Sequence, residues 1–364
     1  MTPGPAPGRA ADPARTLFFG SGSFAVPILD GLLADPRIEL VGIVTAPDRP
    51  AGRGRTLLPT PVALRARAMW VPLLQPVRVR DPEGIAEIAA LSPDLAVLAD
   101  YGQIVPGEVL LLPRHGFLNV HPSLLPRHRG ASPIQATIAG GDPQAGVTIM
   151  DMDEGLDTGP VVAKSAWATS GTETAPELEA RAAKEGAALL TATLGDWLAG
   201  SMPARPQPAE GSTLTRRLRK ADALLDPARP ALELGRQVRA QLPWPGSAIE
   251  TAAGRLTVLR ASTAPAEAGD EAGALVAHGA GLALATADGR LVLDEVQLAG
   301  RRQLPGDEFL RGQRELLGTG VGKAAASPKA GAGDKGEARE KAGTPDKGAA
   351  RPKSASVKPV GAKP

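Results

Sequence analysis

Hydrophobic residues alternate between short runs and longer amphipathic stretches from Thr16 onward. The short runs are rich in β-branched and other apolar residues, as in strands that are buried on both faces. They predict strands at TLFFG, ELVGIVTA, DLAVLAD, GFLNVH, VTIMDMD and GPVVAKSAWA. The amphipathic stretches predict helices at FAVPILDGLLAD, PVALRARAM, DPEGIAEIAAL, SPIQATIAG and PELEARAAKEGAALLTATLGDWLAG. This alternation predicts an α/β fold, a doubly wound and mostly parallel sheet.

Two of these helices carry start signals of their own. Asp81 is followed by Pro82, and Ser132 is followed by Pro133. A polar cap residue followed by proline is typical of the first turn of a helix. We therefore expect helices to begin at both places.

The pattern changes in SMPARPQPAEGSTLTRR, which has three prolines and no apolar period, and which we interpret as a linker. After it, ALELGRQVRAQL predicts a helix that ends at PWPG. Short strands follow at SAIET, RLTVLRAS, GALVAH, GLALATA and RLVLDEVQL. The intervening AAGR and ADGR are hairpin signals, so this half predicts a small antiparallel, OB-like β-barrel.

Composition divides the chain into five parts. Both ends are rich in Ala, Gly, Pro, Lys and Ser, have little to bury, and are expected to be disordered. The expected parts are an N-terminal extension (1–15), a first domain (16–200), a linker (201–211), a second domain (212–315) and a basic tail (321–364).

Residue counts restrict the chemistry. The chain has no Cys, which excludes disulfides, thiol nucleophiles and Cys-ligated metals. No apolar run approaches the roughly 20 residues that span a bilayer, and the N-terminus lacks the apolar core of a secretory signal. We therefore expect a soluble, cytoplasmic protein without a membrane partner.

Charge is unevenly distributed along the chain. The formal net charge is +2, but ten basic and four acidic residues from Val321 onward give the tail +6 and leave −4 for the rest. Binding of nucleic acid by the body would therefore have to rest on local basic clusters.

A dinucleotide-binding motif is one candidate for the chemistry. GSGSFA fits G-x-G-x-x-A at Gly20, Gly22 and Ala25, and Asp48 follows the second strand. The motif is weak alone, and Asp48 lies among arginines and prolines in PDRPAGRGR. A nicotinamide dehydrogenase is thus an alternative that the context disfavours.

LNVHPSLLP carries the stronger signal. Residues two apart in a strand share a face, so Asn119 and His121 should project together from the carboxyl end of a strand, where open α/β sheets bind ligands. For an isolated N-x-H, the better interpretation is a turn cap and a packed imidazole. Two features favour a site: the proline-flanked segment after His121, whose extended backbone can serve a ligand, and Asp157, which lies between Gly155 and Gly159.

These three side chains suit one kind of reaction. A carboxylate near His121 would favour imidazolium and fix the orientation of the ring, while the Asn119 amide could donate to a developing oxyanion. Since the site has no nucleophilic Ser or Cys, the set suits attack by a neutral amine on a carbonyl group.

The motifs also resemble a known family. N-x-H-x-SLLP followed by GLDTG is similar to the folate-dependent formyltransferases. TAPDRPAGRGR, DYGQIVP, NVHPSLLPRHRGASPIQATIAGGD, GVTIMDMDEGLDTGP, LPWPGSA and VQLAGRR are most similar to the members that act on methionyl initiator tRNA. The resemblance extends from about Thr16 to Gln313.

The resemblance implies transfer of the formyl group from 10-formyltetrahydrofolate to the α-amino group of methionyl initiator tRNA. It implies that Asn119 and His121 polarise the formyl oxygen and that Asp157 supports His121 and helps to move the proton of the amine. It implies no metal, and we expect a monomer. The implied folate-binding residues are Ser123, Leu124, Leu125, Pro126, Gln103, Ile104 and Val105.

Two basic clusters are candidate tRNA contacts. In the family the loop that holds Arg49, Arg53 and Arg55 reaches the acceptor stem, and a Gly/Pro frame can follow phosphates. Without the resemblance, a solvated charge cluster would be the better interpretation. TRRLRK is the second cluster, with Arg216, Arg217, Arg219 and Lys220.

The chain also departs from the family pattern. Asp100 stands where a small apolar residue is usual, GSGSFA replaces a GTPEFA-like turn, and Pro227 follows Asp226 where Trp is common. Asp100 puts the details of the pterin pocket in question, and none of the departures touches Asn119, His121 or Asp157.

Three alternatives remain open. Another formyltransferase could act on a small amine, and a hydrolase with the same fold could release formate from formylfolate. A non-catalytic RNA-binding protein could use the barrel, the arginine loop and the tail. The barrel and arginine loop favour RNA over a small amine, and the intact set of Asn119, His121 and Asp157 favours catalysis.

Overall fold

A computed structural model describes residues 12–51 and 56–322. Most of the expected N-terminal extension and basic tail lie outside these residues, as do Arg53 and Arg55. The strands are β1 (Ala14–Gly20), β2 (Ile38–Val44), β3 (Arg49–Ala51), β4 (Thr56–Leu58), β5 (Leu73–Leu74), β6 (Leu95–Ala99), β7 (Phe117–His121), β8 (Arg129–Gly130), β9 (Gln144–Asp151), β10 (Val161–Ala168), β11 (Leu214–Thr215), β12 (Ser247–Thr251), β13 (Gly254–Ala264), β14 (Leu275–His278), β15 (Gly281–Ala285), β16 (Arg290–Leu298) and β17 (Gln303–Pro305).

Six of the eight α-helices in the described residues agree with amphipathic stretches of the sequence, and the short helices at Gly107–Leu110 and Gly306–Arg311 have no predicted counterpart. The helices are α1 (Ala25–Ala34), α2 (Pro61–Ala66), α3 (Pro82–Ala90), α4 (Gly107–Leu110), α5 (Pro133–Gly140), α6 (Ala175–Leu198), α7 (Ala231–Ala240) and α8 (Gly306–Arg311), with short 3₁₀ turns at Lys220–Ala223 and Arg314–Leu316. α3 and α5 begin at the predicted prolines, although neither Asp81 nor Ser132 makes a capping hydrogen bond through its side chain.

A seven-stranded sheet forms the first half of the chain. Its order is β10-β9-β7-β6-β1-β2-β5. The five strands from β7 to β5 are parallel, while β9 and β10 extend the β7 edge in antiparallel orientation. The doubly wound, mostly parallel sheet is therefore confirmed.

Both faces of this sheet are covered. Phe18 of β1 packs with residues of α1, α2, α5 and α6 on one face, and its neighbours Leu17 and Phe19 pack with residues of α3 and α4 on the other. Because successive strand residues point to opposite faces, a continuous apolar run supplies both cores.

The second half has a core of its own under an antiparallel sheet. β12, β13, β16, β15 and β14 pair in that order, and β17 pairs with β16. Irregularities in the pairing of β13 near Arg260 let the strand bend around the core. Hairpins occur at both expected turns, between β12 and β13 and between β15 and β16. Ladder pairing in the described residues does not join β12 to β14, so closure into an OB-like barrel stays a prediction.

Three expected boundaries differ from the structure. β1 starts at Ala14, because Ala14 is buried and the Arg15 N–H donates to Asp94. At the other end, Val321 donates its N–H to the carbonyl of Gly273 and packs against the second core. The expected linker is also not a passive connection, since Arg205 pairs with Val161 and β11 pairs with β8 of the first domain.

An ion pair in the second domain gives a pH prediction. Arg290 donates to both carboxylate oxygens of Asp270, at 2.7 and 2.6 Å. These bonds, together with the N–H of Glu267, lower the pKa of Asp270 from 3.8 to about 2. A carboxyl whose pKa is depressed by folding stabilises the protein above its ordinary pKa, and this stability is lost as pH falls towards the folded value.

We therefore expect Asp270→Asn to lower the free energy of unfolding at neutral pH. The difference from wild type should shrink as the pH falls from about 4 to about 2. Urea unfolding at a series of pH values would measure it, with the exposed Asp288→Asn as the control. A difference that stays constant across this range would contradict the assigned role of the pair.

Candidate active site

Asn119 and His121 lie at the carboxyl end of β7, a strand near the middle of the sheet. They alternate with Leu118 and Val120, which point into the opposite core. Both polar side chains are almost fully buried, 6% and 5% exposed. Buried polar groups require partners, and both find them in the loops above the sheet edge.

Asp157 comes to these two residues from the loop between β9 and β10. Its Oδ1 accepts a hydrogen bond from Asn119 Nδ2 at 3.2 Å, and its Oδ2 accepts the N–H of Gly130 at 2.7 Å. His121 Nδ1 lies 3.7 Å from Oδ2. The structure thus brings together the three residues that the sequence analysis singled out.

The protonation of His121 follows from its second contact. His121 Nε2 lies 2.9 Å from the main-chain oxygen of His128. A carbonyl oxygen only accepts, so Nε2 must carry a proton. In neutral imidazole, Nδ1 is then an unprotonated acceptor that faces the carboxylate of Asp157. The space between them is suited to receive one proton.

The Asn119 amide keeps one donor free. A carboxylate only accepts, so the group that faces Asp157 is the NH₂ end of the amide. One of its two N–H groups bonds to Asp157. The other is available to an acceptor in the cavity that Asn119 lines.

This cavity has a volume of about 770 Å³, within the range of small-molecule sites. It is lined by Asn119, His121 and Asp157, by the segment 100–105, and by Arg216 and Arg217. Gln103 fixes the 100–105 segment, since its side chain accepts the N–H of Val79 and donates to the carbonyl of Pro76. Ile104 remains 84% exposed as an apolar wall.

The second implied folate segment is placed differently. Ser123 and Leu125 are buried, and Leu124 packs on Gly146. None of Ser123, Leu124, Leu125 and Pro126 lines the cavity, whereas Pro122 does. Thr148 ties the segment to β9 by accepting the N–H of Leu125 and donating to the carbonyl of Ser123. The segment therefore supports the cavity wall from behind.

Sequence reasoning missed the contribution of the linker. Gln207 donates to the carbonyls of Asp157 and Gly159, at 2.8 and 2.7 Å, and accepts two bonds from Arg129. Asp157 has a φ of +52°, which a non-glycine residue adopts only when its surroundings hold it there. Gln207 thus holds the loop that presents the carboxylate.

β11 holds the opposite side of the site. It pairs with β8 through Arg129 and Gly130, and Gly130 donates to Asp157. A Cβ on Gly130 would lie 2.3 Å from the carbonyl oxygen of Thr215, and its φ is +98°. Only glycine allows this close crossing. In the sequence, the dipeptide Arg129-Gly130 in the irregular segment after His121 is the feature that could indicate this close crossing.

The GSGSFA turn does not fit a dinucleotide. A Cβ at Gly22 would lie 1.7 Å from Oδ2 of Asp100, so a carboxylate covers the position where the motif brings a pyrophosphate. Asp48 is also engaged, by Gln75 at 2.9 Å and Arg67 at 2.7 Å. The two departures from the family pattern, Gly22 and Asp100, are therefore in contact.

Two acidic side chains line the cavity beside this turn. Asp100 is open to the cavity but surrounded by protein on its other sides, and this loss of bulk water, with Glu179 nearby, raises the pKa of its carboxyl. Ser23 donates to Glu179 at 2.5 Å. Burial raises the pKa of Tyr101 to about 12, so the phenol stays neutral near neutral pH.

The basic clusters lie near the cavity and on an exposed hairpin. Arg49 is exposed on β3, which pairs with β4, so the flanks of the expected arginine loop are strands. Arg53 and Arg55 lie outside the described residues. In the second cluster, Arg216 is held by both oxygens of Asp222, at 2.7 and 2.6 Å, while the exposed Arg217 lines the cavity.

Among residues 12–51 and 56–322, no helix combines the length and the apolar character needed to cross a bilayer. In the same residues, no group of three or more His, Asp or Glu side chains is arranged to hold a metal ion. The expectation of a metal-free site remains a prediction.

Comparison with known proteins follows the same division of the chain. Residues 14–194 match the formyl transferase family model, and residues 217–314 match the model of the formyl transferase C-terminal domain. The methionyl-tRNA formyltransferase of Halorhodospira halophila is 44% identical over 309 residues, which cover 85% of this chain and 99% of that protein. The methionyl-tRNA formyltransferase of a Roseiflexus species is 40% identical over 320 residues, 88% of this chain and 98% of that protein.

A solved structure supports the fold. The N-formyltransferase from Helicobacter canadensis, in complex with folinic acid and dTDP-3-aminofucose, aligns with a TM-score of 0.56 and 15% identity, over 80% of this chain and all of that chain. At this identity the similarity concerns the fold alone.

A mostly parallel α/β sheet with an amide, an imidazole and a carboxylate together at its carboxyl edge is an arrangement that suits a group-transfer enzyme. The matches over both halves make the class specific. The chain belongs to the formyl transferase family.

Proposed function

We propose that the chain transfers the formyl group of 10-formyltetrahydrofolate to the α-amino group of methionyl initiator tRNA. The observation that carries the proposal is that Asp157 accepts hydrogen bonds from Asn119 and Gly130 beside His121. This site lies in a chain that is 44% identical to a methionyl-tRNA formyltransferase over 99% of that protein. Because formylation of initiator tRNA serves translation initiation, the proposal places the protein in the cytoplasm. It acts there as a monomer.

The reaction begins with attack of the neutral amine on the formyl carbon. As the new C–N bond forms, the electrons of the carbonyl double bond move to oxygen. The free N–H of Asn119 donates to this developing oxyanion. In the protonated form of His121, Nδ1–H lies beyond hydrogen-bond distance of Asp157 and can donate to the same oxygen.

Collapse of the intermediate completes the transfer. The carbonyl re-forms, the bond between the formyl carbon and N10 of the folate breaks, and N10 takes up a proton. The amine loses one proton to Nδ1 of His121, directly or through a water, with the carboxylate of Asp157 stabilising the imidazolium, and His121 then gives this proton to N10. One proton leaves and one is taken up, so the two residues return to their starting state.

The folate would occupy the part of the cavity beside the 100–105 segment. The side chain of Gln103 is hydrogen-bonded to Val79 and Pro76 and is therefore not available to a ligand. In this proposal the main chain from Gln103 to Val105 binds the polar edge of the pterin. The exposed Ile104 offers an apolar surface to its flat ring. In this proposal Ser123, Leu124, Leu125 and Pro126 act from behind the wall.

The test is a formyl-transfer assay with 10-formyltetrahydrofolate and charged methionyl initiator tRNA. Free methionine and an amino sugar nucleotide serve as competing amines. We expect product on the charged tRNA alone. Formate without a formylated product would establish a hydrolase, and formylation of the sugar would establish a small-amine enzyme. Binding of tRNA without any reaction would establish the RNA-binding alternative.

The arginine loop gives a prediction about the tRNA. Arg53→Ala should raise KM for charged tRNA and leave kcat nearly unchanged, since phosphate contacts bind the substrate equally well before and during reaction. The slope of log(kcat/KM) against log salt should become shallower by about one unit per lost phosphate contact.

The exposed Arg80→Ala, outside both basic clusters, is the control. An unchanged KM and salt slope in Arg53→Ala would remove the tRNA role that we assign to Arg49, Arg53 and Arg55.

A further inference from the structure

The carbonyl that receives the proton of His121 belongs to a residue in an uncommon conformation. His128 has a φ of +60°, in the left-handed region that few non-glycine residues adopt. A main chain in this region keeps its conformation only where the surroundings fix it. The orientation of the carbonyl therefore depends on what holds His128.

Three residues, each from a different part of the described fold, make polar contacts with His128. Its ring Nε2 lies 2.7 Å from Oδ2 of Asp142, after α5. Its main-chain N–H donates to Oγ1 of Thr213, just after the linker, at 2.8 Å, and the same hydroxyl lies 3.5 Å from its ring Nδ1. Its carbonyl accepts from His121, at the end of β7. The residue is only 8% exposed.

Asp142 is itself fixed. Arg127 donates to its two oxygens at 2.9 and 2.5 Å. Burial disfavours the charged carboxylate, but the hydrogen bonds from Arg127 and His128 outweigh it and lower the pKa of Asp142. An ionised carboxylate only accepts, so the ring of His128 presents Nε2–H to it. The ionised carboxylate of Asp142 and the Nε2–H of His128 are therefore a matched acceptor and donor.

Two acceptors compete for the proton of neutral His121. The carbonyl of His128 binds it on Nε2, while the carboxylate of Asp157, 3.7 Å from Nδ1, would bind it on Nδ1. With the proton on Nδ1, the space beside Asp157 would already be filled and could not take the proton of an amine. Which acceptor attracts the proton more strongly therefore decides whether Nδ1 of His121 can accept the proton of the amine.

We infer that His128 is a positioning residue for His121: its carbonyl, held by Asp142 and by Thr213, keeps the proton of neutral His121 on Nε2 and leaves Nδ1 open towards Asp157. The importance of this tautomer for catalysis rests on the proposed function. The tautomer itself does not, because it can be measured without substrate.

The experiment is a two-bond ¹H–¹⁵N correlation spectrum of the full chain with ¹⁵N-labelled histidine, which distinguishes the two neutral tautomers. The chain has four histidines, and loss of one signal in His121→Gln assigns His121. The variants are His128→Ala, which removes the bond to Asp142, and His128→Gln, whose amide reaches about as far as the ring Nε2 and can still donate to Asp142. Thr213→Val and Thr213→Ser form a second pair, without and with the hydroxyl.

We expect wild type, His128→Gln and Thr213→Ser to show His121 protonated on Nε2. His128→Ala and Thr213→Val should show a mixture with the Nδ1 form, and kcat should fall by about tenfold with KM for tRNA unchanged. A proton on Nδ1 in wild type would overturn the inference. An unchanged Nε2 signal in folded Thr213→Val and His128→Ala would overturn it as well.

If His128→Ala does not fold, the exposed Thr213 pair decides the question alone. The Nε2 tautomer in a chain that transfers no formyl group would support this inference and contradict the proposed function. A wild-type chain that carries the proton on Nδ1 and still transfers the formyl group would contradict this inference and support the proposed function.

Discussion

Asn119→Ala and His121→Ala should each lower kcat/KM for formyl transfer to charged tRNA by about 10²- to 10⁴-fold. In the proposed mechanism, Asn119 donates to the oxyanion from a buried position, and such a donor is most effective where water is excluded. In the same mechanism, Nδ1 of His121 takes up the proton of the amine, with the carboxylate of Asp157 3.7 Å away. Loss of both functions is expected in kcat, because the ground-state substrate uses neither.

The same experiment needs a stability control. His121→Ala leaves the carbonyl of His128 without its donor in a buried position, which costs about 1–3 kcal/mol. Rates should therefore be measured well below the melting temperature of each variant. His278→Ala, in the hairpin between β14 and β15, is the matched control and should keep wild-type activity. Variants at Asn119 and His121 that retain more than a tenth of the activity would contradict the site.

Asn119 and His121 could be found from sequence because their placement depends on local rules. A strand of five residues puts every second side chain on one face, and a parallel strand ends at the edge where ligands bind. Asp157 follows from a glycine-flanked turn after the next strand. None of these inferences requires knowledge of a distant contact.

Gln207 and Thr213 could not be found in this way. Their stretch has no apolar period, so it was interpreted as a linker, yet Thr213 bonds to a residue 85 positions earlier. The direction of Ser123 to Pro126 was equally hidden. Proline fixes an extended backbone, but packing against β9 decides which side faces the cavity.

Gly22 and Asp100 illustrate the same limit in another form. Sequence reasoning treated them as two separate departures, 78 positions apart. In the structure the Asp100 carboxylate occupies the space that a side chain at position 22 would need. Asp100 can take this orientation only if position 22 has no Cβ. The two departures from the family pattern therefore depend on each other.

Gln207→Ala should lower kcat by about 10²-fold, the order of effect that small misplacement of a catalytic group produces. Gln207 donates to the carbonyls of Asp157 and Gly159. Without it, the left-handed main chain at Asp157 can relax, and the carboxylate leaves its position between Asn119 and Gly130. KM for tRNA should change little, since Gln207 lies behind the loop.

Gln207→Glu separates this role from simple space filling. The side chain has the same shape and could still accept from Arg129, but a carboxylate has no proton to donate and would face two carbonyl oxygens. We expect Gln207→Glu to be at least as impaired as Gln207→Ala, although its ion pair with Arg129 would be stronger. Near-normal kcat in Gln207→Glu, measured in the same assay, would mean that the contact with Arg129 suffices to hold the loop. The donor role that we assign to the Gln207 amide would then be wrong.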